Sequence, residues 1–183
     1  MSSGHFMTAD EFDRYVFGMA LGASLGGAGL KNAGKGLKVP PKVPVNRPTW
    51  RASELYVGKQ NPGYTPQKPF LYGQTVPPKT SGCVIPDFYK KGNFFKKGHV
   101  IEVKNYNLET LSGQSNLVYN VSGQVNQRIA HLPKGTKQTI QIDIRGQSIT
   151  KAQLETIKKR ILQKCNIKVE IEFIKEGEIL WLY

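Results

Sequence analysis

Two strand-like segments in the middle of the chain, CVIPDFY (83–89) and HVIEVKNY (99–106), flank a loop carrying Lys90, Lys91, Lys96 and Lys97. Apolar runs separated by a loop that contains Gly92 and Gly98 read as an antiparallel hairpin. Each segment carries acid where a strand normally carries Val or Ile: Asp87 in the first, Glu102 in the second. Side chains alternate across a strand, so Glu102 and Lys104 share one face while Ile101 and Val103 share the other. Pairing across the hairpin sets Asp87 beside Glu102 on that polar face, next to Lys104. Two carboxylates at one sheet end repel, and such a placement calls for a compensating cation.

Around the hairpin the chain reads as α/β. TWRASELYVGK (49–59) is a short helix opened by Thr49 or Ser53, NPGYTPQKP (61–69) a loop, and FLYGQTV (70–76) a first strand. SNLVYNVSGQVNQRIAHL (115–132) places Leu117, Val121, Val125 and Ile129 four residues apart and reads as a helix. QTIQIDIR alternates with period two as a strand does, and ITKAQLETIKKRILQKC is a helix with Leu154, Ile157, Ile161 and Leu162 as its apolar face. KVEIEFI and EILWLY are strands joined across a turn at Glu176 and Gly177. The order helix, three strands, helix, strand, helix, two strands implies a central mixed β-sheet flanked by helices.

The length, 183 residues, allows one sizeable core and little more. Residues 1–48 read as a flexible N-terminal extension. Tyr15 to Leu30 is an uncharged, glycine-broken run, too short for a spanning helix and without basic residues ahead of it as a signal peptide would have. Lys35 to Pro48 is a Pro- and Lys-rich linker. The domain therefore occupies 49–183, and no membrane span is expected. Cys83 and Cys165 lack the spacing of a zinc site and read as small buried residues. His5, His99 and His131 form no ligand cluster, with His99 read as a surface residue, and GASLGGAG lacks the Lys-Ser/Thr ending of a phosphate-binding loop.

The chain carries 26 Lys and Arg against 13 Asp and Glu, a net charge of +13. Nucleic acid, an anionic membrane and an acidic protein all suit that surplus. The paired carboxylates narrow the choice. Hard oxygen ligands of this type hold Mg²⁺ or Mn²⁺, and an adjacent lysine orients a water or stabilises developing negative charge. Phosphodiester hydrolysis needs both a nucleophile made from water and neutralisation of the charge that builds on phosphorus.

Pro86-Asp87 followed by Glu102-Val103-Lys104 resembles the PD-(D/E)xK signature of restriction-endonuclease-like nucleases. The run SGCVIPDFY, VIEVKNY, a helix with QVNQR and then QTIQIDIRGQ looks like the nuclease toxin domains of bacterial polymorphic toxins, over roughly Thr49 to Ile174. The resemblance implies a restriction-endonuclease-like core and a divalent metal, Mg²⁺ first with Mn²⁺ or Zn²⁺ as alternatives. It makes Asp87 and Glu102 metal ligands, the Val103 carbonyl a further ligand, and Lys104 the water-activating residue. Glu54, the sole acid between Asp13 and Asp87, is the candidate for the acid that the family adds from its first helix. Gln124 and Arg128, four apart on one helix face, would contact the metal shell or a phosphate, with Gln127 as the competing choice. The implied activity is a DNase toxin, delivered from one bacterium to act in another's cytoplasm, and neutralised by a cognate acidic immunity protein. An RNase toxin of the same fold, and a non-catalytic basic module that binds nucleic acid, are the alternatives.

Overall fold

The computed structural model describes residues 47–175 and 178–180; the expectations for residues 1–46, for the turn at 176–177 and for 181–183 lie outside them. The described chain is α/β. Helix α1, Trp50–Gln60, starts where Thr49 Oγ1 accepts a hydrogen bond from Ala52 N, which settles the choice of cap against Ser53. Strands β1 (Thr65–Pro66), β2 (Phe70–Leu71), β3 (Gln74–Thr75), β4 (Phe88–Lys90) and β5 (His99–Lys104) follow. Helix α2, Leu111–His131, leads to β6 (Lys137–Asp143), and helix α3, Lys151–Lys164, leads to β7 (Glu170–Lys175) and β8 (Glu178–Leu180).

The main sheet has the order β1-β4-β5-β6-β7-β8. The central strands β5, β6 and β7 are parallel, crossed over by α2 and α3, while β4 and β8 run antiparallel to their neighbours. FLYGQTV is not a strand of this sheet. It folds on itself as the two-stranded β2-β3, while β1, inside the stretch expected to be loop, pairs with β4 through Thr65↔Tyr89 and Pro66↔Phe88.

Both sheet faces are covered. On one, α2 and α3 pack Leu117, Val121, Val125, Leu154, Ile157 and Ile161 onto Ile140, Ile142, Ile171 and Phe173. On the other, Val57 of α1 meets Ile101, Val103 and Ile174. The alternation of QTIQIDIR therefore sorts residues between two buried faces rather than between core and water: Gln138, Thr139, Gln141 and Asp143 are all buried. Each has a partner for at least one polar atom, while Gln138 Oε1 is buried without one. Gln141 Nε2 donates to Glu172 at 2.7 Å, Gln138 Nε2 to the Val125 carbonyl at 3.2 Å, and Arg145 holds the Asp143 carboxylate with two nitrogens.

Two helix faces rotate away from the sequence expectation. A helix advances about 100° per residue, so a repeat of strictly four drifts about 40° each time. By Ile129 the drift has carried the side chain to 44% exposure, and Arg128 sits inside instead at 4%. Leu162 is likewise 38% exposed while Leu154, Ile157 and Ile161 are buried. Both cysteines are free thiols and half-buried rather than buried.

The residues just before Thr49 are tied to the domain. Asn105, at the end of β5, donates its side-chain amide to the Pro48 carbonyl at 2.7 Å and to Ser53 Oγ at 2.8 Å. A chain beginning at Thr49 loses that acceptor. It is expected to be about 1 kcal/mol less stable than one beginning at Arg47, melting about 4 °C lower; equal melting temperatures would show the Asn105 contact to be idle.

Candidate active site

The hairpin register sets the geometry. Phe88 faces Ile101, Tyr89 faces Val100 and Lys90 faces His99, which brings Asp87, one residue before β4, alongside Glu102. Asp87 N approaches Glu102 Oε2 at 3.4 Å, and Asp87 Oδ2 accepts from Val103 N at 2.7 Å. Pro86, lacking an N–H, stands where pairing with β5 stops, and this frees the Asp87 side chain to cap the end of β5.

Glu102 and Lys104 share a face, as strand periodicity requires, but that face is not exposed. In the parallel register they lie beside Ile140 and Ile142, under helix α2. Glu102 is 5% and Lys104 9% exposed. Lys104 Nζ donates to Glu102 Oε1 at 2.7 Å, and Arg128 Nη2, reaching down from α2, donates to Glu102 Oε2 at 2.5 Å. Burial pushes the Glu102 carboxyl up, but Arg128 and Lys104 together override it and hold it at about 2.

Asp87 is shifted the other way. Burial first, then the Glu102 carboxylate and more weakly Glu54, raise it to about 7 against the pull of Lys104 and the Val103 N–H. Glu54, half-buried on α1, is itself raised by burial and by Glu102. Glu54, Asp87, Glu102 and Lys104 thus act on one another electrostatically from three elements: α1, the start of β4 and the end of β5.

The α2 candidates separate. Arg128 is a direct partner of Glu102, and its Nη1 is buried without a hydrogen-bond partner. Gln124, one turn earlier, is half-buried with its Oε1 likewise unpartnered. Gln127 is exposed on another face of the helix.

Two features escaped sequence reasoning. Gln67, held at φ 49° beside the β1-β4 pair, donates Nε2 to Asp87 Oδ1 at 3.2 Å. His99 is not a surface residue: its ring nitrogens meet Tyr64 Oη at 2.6 Å and Thr139 Oγ1 at 2.7 Å, and burial lowers its pKa. Neither carries a local signal, because each partner is supplied by a distant segment.

The donor types suit a hard divalent cation: two adjacent carboxylates and a third nearby, with Asp87 raised by burial and its acidic neighbours so that a cation would favour its charged form. Among the described residues, no group of three or more His, Cys, Asp or Glu side chains stands at coordinating distances. A cation would therefore compete with Arg128 for Glu102 and with the Val103 N–H for Asp87. No helix among the described residues is long and apolar enough to cross a membrane. Compared with known proteins, the chain matches no protein family, no curated protein and no solved structure.

Proposed function

We propose that the chain is a metal-dependent nuclease with a restriction-endonuclease-like core that hydrolyses phosphodiester bonds of DNA. One observation carries this reading: Asp87 and Glu102 lie side by side at the end of the β4-β5 hairpin, next to Lys104, with Glu102 and Lys104 buried. Lys104 and Arg128 both bond Glu102, whereas Asp87 is held by the Gln67 amide and the Val103 N–H, and burial with the neighbouring carboxylate raises its pKa to about 7.

A bound Mg²⁺ or Mn²⁺ would supply charge neutralisation at the phosphate and a more acidic water. Asp87 and Glu102 would hold it, with Glu54 and the Val103 carbonyl as further donors. Lys104 keeps an ammonium beside the reacting phosphate and orients the attacking water. Arg128 keeps Glu102 ionised and fixes its orientation, and Gln124 leaves an amide one turn away for the substrate or metal shell. The +10 of the domain, from 20 basic and 10 acidic residues after Pro48, draws the polyanion in.

The test is incubation of the purified chain with plasmid DNA and with total RNA, in Mg²⁺, Mn²⁺ or Zn²⁺ and in EDTA. DNA is expected to be cut with metal and left intact in EDTA. Full activity of Lys104→Ala, or cutting that survives EDTA, would sink the mechanism, and cutting of RNA alone would reassign the substrate.

The biological role that goes with this reading is a delivered toxin acting in the cytoplasm of a target bacterium. A producing cell then needs an inhibitor, and a small acidic immunity protein fits the basic surface, with association that slows as salt rises. High-yield expression in a bacterial cytosol without harm would count against the toxin role while leaving the nuclease open.

A further inference from the structure

The β4-β5 hairpin ends in a turn that the candidate site does not use. Phe94 and Phe95 stand at its tip, 95% and 89% exposed, edge to face with ring centroids 5.2 Å apart. The turn is built rather than slack. Asn93 N donates to the Lys96 carbonyl at 2.8 Å, and Asn93 Oδ1 accepts from Phe95 N at 3.0 Å and Lys96 N at 2.8 Å. Below it the two arms close at Gly92, where a Cβ would come within 2.5 Å of Gly98 N and the Lys96 carbonyl, so only glycine fits.

Four lysines, Lys90, Lys91, Lys96 and Lys97, bracket the rings, and no acid lies between Phe88 and Ile101. A rigid turn that holds two phenyl rings in water inside a cationic collar matches a partner with anions outside and an apolar slot within. A base stack framed by phosphates has that form. An anionic bilayer has it too, since an apolar anchor with a polybasic patch also holds a membrane. Position favours nucleic acid. Lys90 is three residues from Asp87 along the hairpin, roughly 10 Å at the rise of a strand, which a duplex lying over the candidate site would span within one helical turn.

We propose that the Asn93–Lys96 turn is a nucleic-acid wedge, in which the lysines take backbone phosphates while a phenyl ring stacks on or between bases. The inference rests on the reading of the chain as acting on nucleic acid, and not on the chemistry of Asp87 and Glu102.

The test is binding in EDTA, where metal-dependent cutting is excluded, of the full chain to a fluorescent 20-base-pair duplex carrying 2-aminopurine. Phe94→Ser/Phe95→Ser, at positions too exposed to alter folding, is expected to weaken binding about tenfold and abolish the rise in 2-aminopurine fluorescence, with the salt dependence unchanged. Lys96→Ala/Lys97→Ala is expected to lower the slope of log affinity against log salt by about two. Unaltered affinity and fluorescence with the double Phe variant would overturn the wedge. So would Phe-dependent sedimentation with phosphatidylserine vesicles alongside Phe-independent DNA binding, which would make the turn a lipid contact. A chain that binds through the turn but cuts nothing in any metal would sink the catalytic reading and leave the wedge standing.

Discussion

Asp87→Asn is expected to lower DNA cleavage by a factor on the order of 10³ while making the folded protein more stable above pH 7. The two effects share one cause. Burial and the neighbouring Glu102 carboxylate raise the Asp87 carboxyl from 3.8 to about 7. A raised acid favours the protonated fold, so its contribution is fully present below pH 3.8, is lost progressively as pH rises, and is wholly lost once the pH passes about 7. At about 1.36 kcal/mol per pH unit, a shift of about three units sets a ceiling of about 4 kcal/mol. Roughly half of that should be recovered in practice, about 2 kcal/mol, because the amide gives up the attraction to Lys104 and the charge-assisted bond from Val103 N. Thermal melts of the two proteins should diverge from pH 5 to 8 in favour of the variant, whose amide carries no charge, and converge near pH 4. If the variant melts at the parent's temperature at pH 8 and still cuts, Asp87 is neither strained nor catalytic.

The hairpin was readable because its information is local. Alternation fixes which residues of HVIEVK share a face, and the loop between the strands brings Asp87 opposite Glu102. The cap of α1, narrowed to Thr49 or Ser53, and the order of the helices after the hairpin were readable for the same reason. What covers the sheet was not. Strand period says that Glu102 and Lys104 point together, but their burial depends on α2, whose inward face ends in Arg128 rather than Ile129. A guanidinium at the end of an apolar stripe has no local signature, and only its partner 26 residues earlier explains it. The start of α2 at Leu111 was missed because Thr110, which caps it through Gly113 N, precedes a Ser-Gly pair that reads as a turn. The β1 strand was missed because Thr65–Pro66 is held by its neighbour β4 and not by its own propensity.

Arg128→Ala is expected to cost about 4 kcal/mol of stability, roughly 14 °C in melting temperature for a domain of this size. Glu102 would remain buried at the sheet with Lys104 as its single cation, and an under-compensated buried carboxylate is among the most damaging changes a core can suffer. The acid limb should report the same loss. Arg128 and Lys104 depress the Glu102 carboxyl to about 2 from 4.5, so in the parent its contribution is present above pH 4.5 and lost as pH falls through 2. Without Arg128 the depression shrinks, and the acid-side loss of stability attributable to Glu102 should be smaller. Replacing Glu102 and Arg128 by apolar residues, Glu102→Leu with Arg128→Met, should recover part of the stability, since a well-packed apolar pair commonly matches a buried ion pair, while Lys104 loses Glu102 and keeps only its attraction to Asp87. The same double variant separates structure from chemistry. If Glu102 serves only as the anion of an internal ion pair, the restored protein will cut DNA as the parent does. If Glu102 holds a metal, the protein will be folded, more stable than Arg128→Ala and without nuclease activity, and Mg²⁺ will raise the melting temperature of the parent but not of the variant.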